Sequence, residues 1–148
     1  MQVKLRVNPD RREAVGRELT ELGIEISEEA DLILTEENYR EGELLCRKDE
    51  EQILVPMEDI LYVESLGKEV LVHTGEDTYA TAMRLYVLER TLPPEQFIRI
   101  SNSVIIHRNA IRKIRPALSQ KFHLTLKNDA VVDVTRSYYA RFRDYYGI

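Results

Sequence analysis

The stretch Phe97-Ile98-Arg99-Ile100-Ser101-Asn102-Ser103-Val104-Ile105-Ile106-His107-Arg108-Asn109-Ala110-Ile111-Arg112-Lys113-Ile114 decides the fold. Its apolar runs are short, rich in Ile and Val, and broken by Ser-Asn-Ser and His-Arg-Asn. That texture predicts strands joined by tight turns. β-Branched side chains fit a pleated surface, and small polar residues close reversals. The texture spreads in both directions. Upstream, Leu44-Leu45-Cys46, Ile53-Leu54-Val55, Ile60-Leu61-Tyr62-Val63-Glu64, Val70-Leu71-Val72-His73 and Thr78-Tyr79-Ala80-Thr81 are candidate strands. Turns at Pro56-Met57-Glu58-Asp59, Ser65-Leu66-Gly67-Lys68 and Thr74-Gly75-Glu76-Asp77 separate them, two of them with Gly where the chain reverses. Downstream, Phe122, Leu124 and Leu126 alternate strictly, Lys127-Asn128-Asp129 turns, and Ala130-Val131-Val132 resumes. Leu85, Leu88 and Leu92 before Pro93-Pro94 predict a short helix, and residues 136–146 a terminal one. The expected class is mainly β with short helices (α+β).

Before residue 43 the pattern differs. Val3, Leu5 and Val7 alternate with polar residues, as in a strand. Asn8-Pro9 reads as an N-cap followed by Pro at the first helical position, and Val15, Leu19 and Leu22 give residues 9–22 one apolar face. Gly23 is placed to end that helix in the left-handed conformation. Ile24, Ile26 and Leu32-Ile33-Leu34 supply further strands, and residues 36–42 read as a polar loop. The chain is therefore expected to consist of a small βαββ unit over 1–42 and a β domain over 43–148. The first unit is too small to bury both its faces alone. It is expected to pack on the β domain or on its own copy in a partner subunit.

Several classes are excluded by composition and spacing. The chain has 148 residues, 43% hydrophobic and 32% charged, the balance of an ordinary soluble domain. No apolar run approaches the ~20 residues of a transmembrane helix. The alternating start Met1-Gln2-Val3-Lys4-Leu5-Arg6 lacks the apolar core of a signal peptide, so a cytoplasmic location without membrane insertion is expected. Cys46 is the only cysteine, which rules out an intrachain disulfide and a cysteine-rich zinc site; it reads as a small buried hydrophobe. His73, His107 and His123 sit in no ligand spacing, and Ser101 and Ser103 in no nucleophile elbow. No Gly-rich phosphate cradle is present. The expectation is no enzyme, no metal and no cofactor. Residues 1–50 hold a single helix and cannot form a phospho-acceptor receiver, which needs a full series of βα units.

Net charge is −5, but it is unevenly distributed. Residues 1–50 carry −6, residues 51–96 again −6, and residues 97–148 carry +7. Two readings of this are open: a polyanion partner confined to the basic third, or a basic third that packs beside the acidic remainder.

The basic third groups side chains suited to duplex DNA. Arg pairs bidentately with guanine, Asn with adenine, and Ser, Thr and Tyr hydroxyls suit phosphate oxygens. They occur at Ser101-Asn102-Ser103 and at the end of Val131-Val132-Asp133-Val134-Thr135-Arg136-Ser137-Tyr138-Tyr139. The plainer alternative is that Ser-Asn-Ser is only a turn, and that Arg136 only caps the sheet through a salt bridge to Asp133 or Asp144.

Over residues 43–148 the sequence resembles the LytTR family of bacterial DNA-binding domains. Four blocks in order carry the resemblance. They are Pro56-Met57-Glu58-Asp59-Ile60-Leu61-Tyr62-Val63-Glu64-Ser65; residues 88–92 with Pro93 and Phe97-Ile98-Arg99-Ile100-Ser101-Asn102-Ser103; Ile111-Arg112-Lys113-Ile114; and Val134-Thr135-Arg136-Ser137-Tyr138-Tyr139. Ser101 stands where the family commonly has His, and His107 where it commonly has Asn. The resemblance implies an elongated, mainly antiparallel β fold that contacts duplex DNA from loops. The implied DNA-binding residues are Lys68, Ser101, Asn102, Ser103, Arg136, Ser137, Tyr138 and Tyr139. Asn102 and Arg136 match positions expected to reach base edges, while Lys68, Ser101 and Ser137 hold the backbone. It further implies a stand-alone, sequence-specific transcriptional regulator. Such a protein would bind a direct-repeat site and work with a separate membrane or sensor protein; the apolar face Val15-Leu19-Leu22 of the N-terminal unit, which needs a neighbour, is expected to mediate a homodimer that suits a repeated site. The alternative from another class is a non-catalytic protein-interaction module, or anti-regulator, on the same scaffold.

Overall fold

The computed structural model describes residues 1–37 and 42–148, so the middle of the loop expected over 36–42 lies outside the described residues. The chain divides into two units, Met1–Gly42 and Glu43–Ile148.

The first unit runs β1 (Gln2–Arg6), α1 (Pro9–Glu21), β2 (Glu25–Ile26) and β3 (Leu32–Thr35). Its sheet has the order β2-β1-β3 and is parallel throughout, which the strand count alone did not anticipate. Val3 and Leu5 are buried at alternate positions of the central strand, and Val7, just past its end, continues the alternation. Val15 and Leu19 are half-buried, but Leu22 is 75% exposed, so the apolar face of α1 is shorter than its sequence spacing implies. The reason is local. The helix ends at Glu21, Leu22 is the C-cap, and its N–H donates to the Glu18 and Leu19 carbonyls before Gly23 reverses the chain at φ +80°. Asn8 occupies the N-cap without a side-chain capping bond; its backbone N–H donates instead to Glu36 Oε1 at 2.7 Å.

The second unit is mainly β with short helices. Its strands are β4 (Glu43–Lys48), β5 (Glu51–Pro56), β6 (Ile60–Leu66), β7 (Glu69–Thr74), β8 (Thr78–Thr81), β9 (Phe97–Arg99), β10 (Val104–His107), β11 (Ile111–Ala117), β12 (Lys121–Leu126) and β13 (Val131–Val134). Helix α2 spans Leu85–Thr91 and α3 spans Arg136–Tyr146. Seven strands form one antiparallel sheet in the order β5-β4-β8-β7-β6-β10-β9. The other three form a second antiparallel sheet, β11-β12-β13.

Two cores flank the larger sheet. One packs Val63, Val72, Phe97 and Ile105 against Leu85, Leu88 and Leu92 of the α2 region. The other packs Ile98, Ile100, Val104 and Ile106 against Phe122, Leu124 and Leu126 of the second sheet and Phe142 of α3. Successive residues of β9 and β10 thus alternate between two different cores. This is why Phe97-Ile98 and Val104-Ile105-Ile106 are apolar at successive positions: strands covered on both faces have no solvent side to carry polar residues.

Cys46 belongs to the first core at 1% exposure, and burial pushes its thiol up to about 11. It is therefore neutral and inert at physiological pH. His107 is also buried; its Nδ1 accepts the Asn109 N–H at 3.1 Å and caps the 3₁₀ turn Arg108–Ala110. An Asn side-chain oxygen could accept the same bond.

Candidate nucleic-acid interface

Antiparallel pairing sorts the turns of the second unit onto two ends. β10 leaves Ser103 and runs to His107, β11 returns, and β13 comes back to Thr135. Residues 66–68, 82–84, 101–103, 118–120 and 135–136 consequently gather at one end, and they contain Lys68, Arg84 and Arg136 but no Asp or Glu. The opposite end holds the turns at Met57–Asp59, 75–77, Arg108–Ala110 and 127–129. These carry Glu58, Asp59, Glu76, Asp77 and Asp129. Charge is therefore segregated by strand direction, not by thirds of the chain. Arg108 and Lys127, from the basic third, lie at the acidic end. Arg84, from the acidic middle, lies at the basic one.

Three loops meet at the basic end through backbone bonds. The β6–β7 hairpin turns at Gly67, φ +60°, and leaves Lys68 exposed. Its Ser65 N–H donates to the Ser103 carbonyl at 2.8 Å, which ties the first loop to the second. The Ile100 N–H donates to the Val104 carbonyl and closes the 101–103 loop; the Thr135 N–H donates to the Ile100 carbonyl and brings in the start of α3, both at 3.0 Å. Across this junction the Tyr138 hydroxyl donates to Asn102 Oδ1 at 3.3 Å. That bond orients the exposed amide and leaves both Nδ2 hydrogens for an outside acceptor.

The eight residues singled out from the sequence divide into two groups in this geometry. Lys68, Asn102, Ser103, Arg136 and Ser137 are exposed. Ser101 is buried at 6%, and its Oγ accepts the Ser103 N–H at 3.2 Å, so the hydroxyl shapes the turn. Tyr139 is half-buried with its ring stacked on Phe122 at 4.9 Å and 13°. Tyr138 is half-buried between the guanidinium groups of Arg99 and Arg141. The salt bridge considered for Arg136 is absent among the described residues: Asp133 is held by His123 at 2.6 Å, and Asp144 lies 3.8 Å from Arg143.

Residues passed over in the sequence complete the site. Arg99 donates to the Ser101 carbonyl at 3.0 Å and to the Asn102 carbonyl at 2.6 Å, while Glu89 holds its other edge at 2.7 Å. It braces the loop from behind with a side chain only 13% exposed. Its position inside the Arg99-Ile100-Ser101 block was the available signal. Beside the first loop, a cleft of about 740 Å³ is lined by Arg47, Lys68, Arg84 and Arg99 together with the carboxylate of Glu69. Arg47 and Arg84 are exposed and carry no sequence signal of their own, because they stand far apart in acidic segments.

The model of the LytTr DNA-binding domain matches residues 50–147, and the chain belongs to the LytTR family. Among its relatives, the sensory transduction protein LytT of Bacillus anthracis is 37% identical over 90 residues, 61% of this chain and 37% of that protein. The transcriptional regulatory protein YpdB of Escherichia coli K12 is 36% identical over 97 residues, 65% of this chain and 40% of its own length. The match thus spans about two fifths of the length of these relatives. A solved LytTr DNA-binding domain from Bacillus cereus superposes with a TM-score of 0.70 at 30% identity, covering 72% of this chain and 98% of that one. No helix among the described residues is long and apolar enough to cross a membrane.

Proposed function

We propose that this chain is a bacterial, sequence-specific transcriptional regulator that reads duplex DNA through the loops at the basic end of its second unit. The observation that carries the reading is the convergence of three sequence-distant loops at an end where Lys68, Arg84 and Arg136 outnumber the cleft carboxylate, Glu69. Asn102 and Arg136 read base edges. Lys68, Ser103, Ser137 and Tyr138 hold phosphates, joined by Arg47 and Arg84 along the cleft. Ser101, Arg99 and Tyr139 position the loops. The protein acts in the cytoplasm on a direct-repeat site, under the control of a separate membrane or sensor protein.

The test is a salt titration of binding to genomic duplex selected by the purified protein. If about four to six phosphates are neutralised, log K against log salt falls with a slope near −4 to −5. A slope near zero, or no binding at low salt, overturns the reading and favours a protein-interaction module.

The Met1–Gly42 unit supports a homodimer in this proposal. Its one helix leaves Leu32, Ile33 and Leu34 of β3 exposed. Removing residues 1–42 should lower the mass seen by light scattering and weaken binding to the full repeat more than to a half-site. Unchanged mass and affinity would remove the unit from assembly.

A further inference from the structure

We propose that the tip of the β11–β12 hairpin, residues 118–120, is a further DNA-contacting element. Leu118 lies against the sugar and base-edge wall of a minor groove, and Arg115 and Lys121 lie on the flanking phosphates. The proposal rests on the DNA-binding reading above and extends its footprint.

The topology places the tip. Phe122 pairs with Val134, so β12 begins level with the end of β13. The next residue of that strand end, Thr135, donates to the Ile100 carbonyl beside the Asn102 loop. Residues 118–120 therefore project past the same edge from which Arg136 and Asn102 emerge, by roughly 5 Å at ~3.3 Å per residue. Leu118 is 90% exposed, more than any other large apolar side chain among the described residues. A leucine in water at a hairpin tip gains free energy only when a partner covers it.

Charge identifies the partner. Ala117 pairs with Lys121 and Arg115 with His123, so Arg115 and Lys121 share one face of the hairpin. Together with Pro116, Ala117, Leu118 and His123 they line a shallow concavity. Neither cation forms an ion pair among the described residues, and the carboxylate on that face, Asp133, is held by His123. Turn geometry alone would not discriminate. Ser119 and Gln120 have positive φ (63° and 56°), but so do Asp49 and Glu50 in the β4–β5 hairpin (51° and 67°). What differs is chemistry: an apolar residue between cations in the β11–β12 hairpin, and carboxylates in the β4–β5 hairpin. An apolar side chain flanked by cations suits the minor groove, where such residues wedge against base steps and bend the duplex.

The experiment uses the full chain and a genomic duplex selected by the wild-type protein. Anisotropy measures affinity, and circularly permuted gel shifts measure bending. Leu118→Ala should weaken binding about five- to tenfold and reduce the bend, with the ratio of specific to non-specific affinity unchanged. Leu118→Asp should weaken it further. Arg115→Ala and Lys121→Ala should each flatten the salt slope by about one. Melting temperatures should stay near wild type, since all three side chains are exposed. Wild-type affinity and bend in both Leu118 variants would overturn the proposal while leaving the three-loop site standing. A lowered mass in light scattering with unchanged affinity would assign the tip to a protein contact instead. Failure of the wild-type protein to bind any duplex would remove the three-loop reading as well.

Discussion

Arg136→Ala should collapse the ratio of specific to non-specific DNA affinity while leaving the protein folded. Arg136 is the first residue of α3 and is exposed. Both carboxylates that could have paired with it are engaged elsewhere. A cation at a helix N-terminus opposes the helix dipole, at a cost of about 0.3–1 kcal/mol. The first turn of α3 carries no acidic residue to offset it. A residue that breaks a local rule without a local gain marks a functional position. Losing a bidentate Arg–guanine pair costs about 1–3 kcal/mol and relaxes the choice of base at that position. The free protein should melt at or slightly above the wild-type temperature, because a misplaced charge has been removed. Arg143→Ala is the control: Arg143 lies over the Tyr139 ring at 5.7 Å near the far end of the same helix. Its loss should weaken all duplexes about equally, if at all. Unchanged specificity in a folded Arg136→Ala protein would leave Asn102 as the main reader of bases.

Phe142→Ala should have the largest effect on stability. Phe142 is the fully buried residue through which α3 enters the second core, 5.4 Å from Phe122 and 4.7 Å from Tyr146 between ring centres. Truncating a buried Phe costs about 3–5 kcal/mol, from lost apolar burial plus the cavity left behind. For a domain of this size that lowers the melting temperature by roughly 15–30 °C. The loss reaches the DNA site, because α3 carries Arg136, Ser137 and Tyr138 and is anchored by Phe142 and Tyr139. Affinity for every duplex should fall together, with no change of base preference. Phe142→Leu, which keeps most of the volume, should cost about 1–2 kcal/mol. Calorimetry of the two variants checks the order. A shift of only a few degrees for Phe142→Ala would mean that α3 is not held by this contact.

Much of this protein is legible from residue order alone. The Ile- and Val-rich runs between 97 and 114, the alternation at Phe122, Leu124 and Leu126, and the Gly-bearing turns are local signals. β propensity and turn chemistry act over a few residues, so the strands and the class of fold follow from them. The chemistry at Asn102 and Arg136 was legible as residue type for the same reason. Other features depended on which strands lie side by side. Leu22 has the right helical spacing to be buried, but the chain turns before the sheet can cover it. Ser101 and Tyr139 have the right chemistry to touch DNA, but pairing and packing turn them inward to hold the loops. Arg47, Arg84 and Arg99 look like scattered surface charge until antiparallel pairing brings them to the end that carries Asn102. Summed along the sequence, charge placed the basic region in the last third. Strand direction instead sends Arg108 and Lys127 to one end and Arg84 to the other. Electrostatic potential depends on distance through space, and only the tertiary structure fixes those distances.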